Sequence, residues 1–318
     1  MVKIAIAGGS GNVAQEIIDV LLETKKHEII IMSRKRDSGA EAISGITWVQ
    51  TDYKDPDQLA QILQGVHTLL SFATEQDDPN SPVQKRLIDA AVQAGVKRFA
   101  PSEWATSGLE HLGWYGYKGE IRRYLRELNR DKKVLQYTLF QPGLFVNYLT
   151  RPYKTTKHIH QIEIPFDFAN RRFITIDGSD NDQITLTTVK DLANVVARAI
   201  DFEGEWPVVG GIQGTNISLG QLLALGKTVR GGLPFLVERV KAEELKDGTW
   251  QTSWVPIVDH PSIPPDQLDV FSRIGVAGIL LAFSAKAFVV SDEWNQLLPD
   301  YKFTQAEEFL ASEWSGKP

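Results

Sequence analysis

Three small residues near the amino end of the chain, Gly8, Gly11 and Ala14, have G-x-x-G-x-x-A spacing between an apolar run and a helical pattern. A turn of this kind lets the backbone approach a pyrophosphate closely and presents free N–H groups at the start of a helix. Its position between a predicted strand and a predicted helix favours a dinucleotide cradle over a chance glycine-rich turn. The residues expected to contact the cofactor there are Gly8, Ser10, Gly11, Asn12 and Val13.

Basic residues follow the second predicted strand, where the chain reads Ser33-Arg34-Lys35-Arg36. A site selective for NAD carries an acidic side chain at this position, on the ribose hydroxyls. Guanidinium groups instead suit a 2′-phosphate, so Ser33, Arg34 and Lys35 favour NADP(H). The alternative interpretation is a solvated basic loop.

The elements that must position these residues alternate between short apolar runs and helical patterns, as in βαβ units with a parallel sheet. The ends of the third and fourth strands place Asp52 near the adenine, and Phe72, Ala73 and Thr74 on the nicotinamide side. The strand candidates are Lys3–Ala7, Glu28–Met32, Thr47–Gln50, Thr68–Phe72, Arg98–Ala100 and Gln136–Phe140. The pattern predicts an α/β protein with a Rossmann doubly wound parallel sheet and a smaller α+β carboxy-terminal substrate domain.

The alternation weakens after residue 150 of the 318. We expect residues 1–150 to form the NADP-binding domain and 151–318 mainly the substrate domain. Some strands between about 174 and 212 are expected to return to the Rossmann sheet, and a cleft to lie between the domains. The other elements predicted are a helix start at Ser81 and Pro82, helices at Thr188–Ile200, from Ser218 to Leu225 and at Thr304–Trp314, and a strand at Pro207–Val209.

The composition removes several other chemistries. A net charge of -6, with 42% hydrophobic and 23% charged residues, is ordinary for a soluble protein and gives no general attraction to nucleic acid or anionic lipid. The chain has no cysteine, which excludes disulfides, thiol nucleophiles and Cys-ligated metal centres. The longest uncharged run, Ile274–Ala285, is shorter than the ~20 residues that cross a bilayer, and Met1–Ala7 is too short for a signal peptide. We therefore expect a cytoplasmic protein with no nucleic-acid or membrane partner.

Two longer segments carry a family resemblance. Lys97–Trp104 reads KRFAPSEW and Leu298–Leu310 reads LPDYKFTQAEEFL. Together with Gly8–Ala14 and the Ser33-Arg34 strand end, these segments resemble the isoflavone reductase-like proteins. Those proteins belong to the NmrA-like, atypical branch of the short-chain dehydrogenase superfamily. The matching segments extend over essentially the whole chain.

The resemblance implies a reductase that uses NADPH and a catalytic lysine in a K-x-x-x-R-R helix after the Pro-Ser-Glu segment. Lys118–Arg123 has that pattern, so Lys118 is the catalytic candidate. A lysine beside the cofactor can hold the nicotinamide ribose or exchange a proton with a substrate oxygen, and burial lowers its pKa. The alternative is an ordinary exposed lysine; Tyr115 or Tyr117 is the secondary candidate for the acid. Further cofactor contacts are expected from Ser102, Lys118, Pro142 and Phe145.

Aromatic side chains after the predicted strand ends suggest a substrate wall, with core packing as the equal alternative. These residues are Trp104, Trp114, Tyr115, Phe145 and Tyr148. His158 and His160 lack supporting ligands, so no metal site is expected. Asp191 is interpreted as a carboxylate at a helix terminus, and Ile274–Phe283 as a core or interface helix.

These features predict an NADPH-dependent reductase that acts on a C=C, C=O or C=N bond of a hydrophobic or aromatic small molecule, in secondary metabolism. Its partner would be a small-molecule substrate, and the protein a monomer or homodimer. Two alternatives stay open at this point. One is a dinucleotide-sensing regulator without turnover, and the other is a non-redox biosynthetic enzyme, a dehydratase or cyclase, on the same fold.

Overall fold

A computed structural model of the protein describes residues 1–35, 44–74, 80–259 and 263–318. The strands are β1 (Lys3–Ala7), β2 (Glu28–Ser33), β3 (Ile46–Gln50), β4 (Thr68–Ser71), β5 (Arg98–Ala100), β6 (Gln136–Tyr137), β7 (Leu139–Gln141), β8 (Leu144–Phe145), β9 (Phe166–Asp167), β10 (Arg172–Ile176), β11 (Gln183–Thr187), β12 (Val209–Gly211), β13 (Thr215–Ser218) and β14 (Leu236–Val240). The helices are α1 (Asn12–Thr24), α2 (Pro56–Ile62), α3 (Pro82–Gln93), α4 (Gly116–Leu128), α5 (Val189–Asp201), α6 (Leu219–Val229), α7 (Ala242–Asp247), α8 (Leu268–Ser284), α9 (Glu293–Leu297) and α10 (Ala306–Trp314).

The six strands β1 to β6 form one sheet in the order β3-β2-β1-β4-β5-β6, and its five strand pairings are parallel. This is the doubly wound order, in which the chain direction across the sheet reverses between β1 and β4. Ala7 at the end of β1 lies between Met32 of β2 and Ser71 of β4. The predicted Rossmann fold is therefore confirmed, and the edge at which sheets of this order bind ligands corresponds here to the ends of β1, β2 and β4.

Apolar runs make these strands because both faces of a parallel sheet are covered. Four of the five residues of β1 and all of β4 are buried. Leu59 of α2, Leu87 and Ile88 of α3 and Ile121 of α4 are buried in the same core cluster as Ala5 and Leu69 of the sheet.

The strand predicted at Gln136–Phe140 divides into two elements. Gln136 and Tyr137 stay paired with β5, whereas Leu139–Gln141 pairs with β12. The main chain makes the change at Thr138, whose N–H still reaches Phe99, while the next N–H, that of Leu139, reaches Val208. Local apolar pattern cannot reveal such a change of partner, because both halves remain extended and buried.

Two compact units are present, and helix α5 passes from one to the other. The first comprises Met1–Trp104, Trp114–Phe140 and Leu192–Gly210, and the second Ala105–Gly113, Gln141–Asp191 and Gly211–Pro318. In the second unit β10 and β11 belong to separate three-stranded sheets, β14-β10-β9 and β13-β11-β8, whereas the sequence led us to expect a return to the Rossmann sheet. The functional division at residue 150 stays a prediction.

Two predicted helix starts differ in their capping. Ser218 caps α6 with a reciprocal capping box to Gln221, as its position suggested. Ser81 precedes α3, but it has a φ of +49° and its side chain makes no capping hydrogen bond. Its hydroxyl oxygen instead accepts a hydrogen bond from Gln84 at 3.3 Å. The predicted helix start at Ser81 and Pro82 is therefore confirmed, although the Ser81 side chain does not cap the helix.

One helical segment in the described ranges, Pro265–Ser284, has the length and apolar composition of a membrane span. In this structure 44% of its most apolar window is buried, and core helices of soluble proteins meet the same two criteria. Length and composition alone are weak evidence for a membrane element.

Candidate active site

The glycine turn joins β1 to α1. Gly8 has a φ of +72°, and a Cβ atom there would lie 2.8 Å from the carbonyl carbon of Phe72. Glycine is therefore required both by the backbone conformation and by the close approach of the main chain at Phe72 and Ala73, directly after β4. The Gly11 N–H donates to the Gly8 carbonyl at 2.9 Å and closes the turn. The Ser10 hydroxyl lies 3.1 Å from that of Ser33, so the turn and the end of β2 meet as the sequence suggested.

The start of α1 has the features of an anion site. Gly11 is its N-cap residue and makes no side-chain capping bond, and the first helical turn contains no acidic residue. The N–H groups of Asn12 and Val13 lie in that first turn, where an α-helix has no backbone acceptors for them. These residues fit a pyrophosphate, which accepts hydrogen bonds from such groups.

Tyr53 contacts the glycine turn through its hydroxyl, and sequence reasoning missed it. Its hydroxyl accepts from the Gly8 N–H at 2.8 Å and donates to the Met32 carbonyl at 2.7 Å. The side chain is buried, and burial raises the pKa of the phenol to about 12. Arg86 of α3 donates to the Tyr53 carbonyl at 2.7 Å. The only sequence signal was its place directly after Asp52.

The basic strand end is exposed. The side chains of Arg34 and Lys35 are exposed, whereas their carbonyls accept hydrogen bonds from Gln50 and Trp48, both of β3. Because β3 side chains hold the main chain of Arg34 and Lys35, the two basic side chains remain available to an anion. Arg36 lies outside the described residues. Asp52 is also exposed and accepts from the Lys54 N–H at 3.0 Å.

On the side predicted for nicotinamide, Trp104 is packed as a core residue. Its ring stacks on Phe72 with centroids 4.2 Å apart, and on Phe140 at 5.4 Å. Its indole N–H donates to the Ser71 carbonyl at 2.8 Å, and its φ is +46°. This environment matches the packing alternative for Trp104 rather than a substrate wall.

Lys118 lies in the first turn of α4 and is only 2% exposed. Its Nζ donates to the carbonyl oxygen of Glu103 at 2.5 Å and lies 3.5 Å from the centre of the Tyr115 ring. Burial lowers the pKa of Lys118 to about 7; the Glu103 carboxylate opposes this shift and Arg122 reinforces it. The alternative of an ordinary exposed lysine does not describe this residue. At neutral pH such an amine can both accept and donate a proton.

Glu103 and Arg122 form a buried ion pair beside this lysine. Arg122 Nε donates to one carboxylate oxygen at 2.9 Å and its terminal nitrogen to the other at 2.6 Å. The Glu103 side chain is 1% exposed. Sequence reasoning used both residues only as parts of family motifs.

The two tyrosines beside Lys118 differ in surroundings. Burial raises the pKa of Tyr115, whose ring contacts Trp114 edge-on at 5.9 Å. Burial also raises the pKa of Tyr117, which shares a side-chain hydrogen bond with Ser102. Both phenols are therefore protonated at neutral pH and could act only as proton donors.

Three further candidates lie in the second unit. Pro142 and Phe145 are buried, and the Phe145 ring lies 6.1 Å from that of Tyr148. Tyr148 lines a cavity of about 270 Å³ together with Arg151, Glu163 and Phe166. Their contacts with cofactor or substrate stay predictions.

The structure places two other residues that the sequence singled out, His160 and Asp191. His160 lies beside Asp259, and no group of three or more potential ligands occurs in the ranges that the structure describes. Asp191 does more than face a helix terminus, as it accepts hydrogen bonds from the Tyr301 hydroxyl at 2.7 Å and the Thr304 N–H at 3.1 Å. It therefore fastens the carboxy-terminal motif within the second unit.

Residues 2–208 match the NmrA-like family. The chain belongs to that family. An oxidoreductase from Botryotinia fuckeliana is 32% identical over 204 residues, which are 63% of this chain and 67% of the relative. The family resemblance inferred from the sequence is confirmed.

Solved structures agree in fold. An NADPH-dependent quinone oxidoreductase from Escherichia coli, in complex with NADPH, has a TM-score of 0.68 and 22% identity over 97% of this chain and 99% of its own. A structure from a study of pinoresinol-lariciresinol and phenylcoumaran benzylic ether reductases has a TM-score of 0.70 and 15% identity over 98% and 99% of the two chains. At these identities the likeness establishes the architecture.

Proposed function

We propose that this chain is an NADPH-dependent reductase of a hydrophobic or aromatic small molecule, with a C=C, C=O or C=N bond as the reacting group. The observation that carries the proposal is the buried Lys118 amine, whose pKa is lowered to about 7, on the fold of dinucleotide-binding reductases. A group that titrates near the operating pH is suited to proton transfer. The relatives' description as oxidoreductases and NADPH-dependent reductases supports the redox assignment.

The cofactor is assigned to the edge formed by β1, β2 and β4. The N–H groups of Asn12 and Val13 would hold the pyrophosphate, and Arg34 with Lys35 would hold the 2′-phosphate. Three observations fit this group: the turn that excludes a Cβ at Gly8, the helix start without a side-chain cap, and the exposed basic strand end. Asp52, the Phe72–Thr74 segment, Ser102, Pro142 and Phe145 stay proposed cofactor contacts.

When bound, NADPH supplies a hydride from its nicotinamide ring to an electrophilic carbon. The protein must deliver one proton to the atom at the other end of the reduced bond. The Lys118 ammonium donates that proton, and the neutral amine regains one from solvent, so each turnover consumes one hydride and one proton. Tyr115 packs its ring against Nζ and restricts the direction in which the amine can point.

The proposed substrate class rests on aromatic side chains that the sequence pattern singled out. Trp114, Tyr115 and, in the second unit, Phe145 and Tyr148 are the proposed contacts. We further propose that the enzyme acts in secondary metabolism, in the cytoplasm, as a monomer or homodimer, in line with the family resemblance.

The test is a screen for NADPH oxidation, followed at 340 nm, over quinones, aromatic enones, ketones and cyclic imines. We expect at least one class to be reduced, with product formed in a one-to-one ratio to NADPH consumed. NADPH binding without any oxidation across the panel would favour the regulator. Product formation that consumes no NADPH would favour the dehydratase or cyclase.

A further inference from the structure

We propose that the buried Glu103–Arg122 ion pair is a positioning unit that controls proton exchange at Lys118, an inference that rests on the proposed reductase function. The two residues lie in separate segments of the sequence, Glu103 in Lys97–Trp104 and Arg122 in Lys118–Arg123, and neither segment by itself indicates this role. The role follows from the way in which one residue, Glu103, contacts both basic side chains.

Glu103 uses two different groups for its two partners. Its main-chain carbonyl accepts the Lys118 ammonium, and its carboxylate accepts both arms of the Arg122 guanidinium. Lys118 and Arg122 stand four apart on α4, so they project from the same face of the helix. The amine therefore has a neutral acceptor, while the negative charge nearest to it is held by the arginine.

The loop that carries Glu103 is fixed on both sides. The Ser102 N–H donates to the buried side chain of Gln84 at 2.8 Å. On the other side, Trp104 is held by its stack on Phe72 and by its hydrogen bond to Ser71. Because the loop cannot follow the helix freely, a change in either charge of the pair changes the field at Lys118 instead of being absorbed by movement.

The charged and titratable groups facing Lys118 come from three places. Glu103 lies on the loop after β5, Arg122 on the same helix, and Tyr115 in the turn before it. Burial lowers the pKa of Lys118, Glu103 raises it and Arg122 lowers it, so the two partners act in opposite directions. Glu120, also on α4, is engaged by Lys85 of α3 and by Arg123.

Opposite signs give the proposal a sharp test. Glu103→Gln removes the negative charge and leaves the guanidinium, so it should lower the pKa of Lys118 by about one pH unit. Arg122→Met leaves the carboxylate unpaired, so it should raise that pKa by about the same amount. The double variant should return to within ~0.5 unit of wild type, because both charges are gone.

The direct measurement is the pH titration of the Lys118 13Cε resonance in protein labelled with [13C]lysine, the signal being identified by its loss in Lys118→Arg. This readout needs neither cofactor nor substrate. The second measurement is the pH profile of kcat/KM for the substrate found in the screen, whose limb should move with the resonance. Glu120→Gln is the matched control: it removes one ion-paired carboxylate from the same helix and should leave the titration unchanged.

Shifts in the same direction for both single variants, or an equal shift in Glu120→Gln, would overturn the proposal. Should Arg122→Met fail to fold by circular dichroism, Arg122→Gln removes the charge but keeps a donor for Glu103 and must still raise the pKa. Arg122→Lys keeps the charge and should keep the wild-type titration.

If no substrate is ever reduced, the reductase assignment fails, while the resonance still tests the effect of the ion pair on Lys118. If the resonance moves and the kinetic limb does not, the pair does not control proton exchange in the reaction.

Discussion

Replacing Lys118 by methionine should abolish most turnover and at the same time stabilise the protein. Methionine has a similar length and no charge, so the substitution removes the proton-transfer group with little change in packed volume. Loss of a positioned acid or base typically lowers kcat by ~10²–10⁴-fold, or about 3–5 kcal/mol of transition-state free energy. NADPH affinity should change little, because the glycine turn and Arg34 are intact.

The stabilisation follows from linkage between protonation and folding. The pKa of Lys118 falls from 10.5, the ordinary value of a lysine amine, to about 7 in the folded protein. The unfolded chain binds the proton more tightly, so the cost to folding is complete below pH 7 and disappears as pH rises to 10.5. This cost is roughly 4 kcal/mol at pH 7 and about half of that at pH 9. The variant avoids the cost but loses the hydrogen bond to the Glu103 carbonyl, so its net gain in stability is smaller by about 1 kcal/mol.

The assay is thermal unfolding of wild type and Lys118→Met at pH 7, 8 and 9. We expect the variant to melt at least ~5 °C higher at pH 7, with the difference shrinking as pH rises. Lys227→Met, at an exposed position on α6, is the matched control and should show no pH-dependent difference. A variant that melts no higher than wild type at pH 7, or that keeps full turnover, would refute the reasoning.

The remaining predictions concern the cofactor edge. Arg34→Ala should reduce the preference for NADPH over NADH by about one to two decades in Kd, because it removes a charge-assisted bond to the 2′-phosphate. Equal dissociation constants for the two nucleotides, measured by calorimetry on the wild type, would contradict the assignment of Arg34 to the 2′-phosphate. Gly11→Val should abolish NADPH binding, because the branched side chain would occupy the space of the pyrophosphate. The Cβ position lies only 3.2 Å from the Gly8 carbonyl oxygen. A folded variant that still quenches NADPH fluorescence with unchanged affinity would show that the pyrophosphate binds elsewhere. Tyr53→Phe should weaken NADPH affinity about 5–10-fold. The Gly8 N–H loses one of its two acceptors, the phenol oxygen, and keeps only its direct bond to the Met32 carbonyl at 2.9 Å. Tyr124→Phe, which removes a hydroxyl bound to Asp89 on the surface, should leave that affinity unchanged.

The sequence alone was sufficient for features that depend on local pattern. Apolar runs and helical spacing placed β1 and β5 at the bounds that the structure has, and the small-residue spacing at Gly8, Gly11 and Ala14 marked the turn that only glycine can make at Gly8. The family was readable for the same reason, since its motifs are contiguous segments. Lys118 was selected by such a motif, although neither its burial nor its lowered pKa could be read from the letters.

Tertiary structure alone decided which distant groups meet. Tyr53 reaches Gly8 across 45 residues, and Tyr301 reaches Asp191 across 110, with no periodic signal linking either pair. Three other features likewise depend on how the sheet and helices pack. They are the burial of Trp104 between Phe72 and Phe140, the change of strand partner at Thr138, and the burial of the Glu103–Arg122 ion pair. The physical reason is that hydrophobic pattern specifies which residues are removed from water, whereas the partners of a buried polar group are set by the geometry of the packed elements.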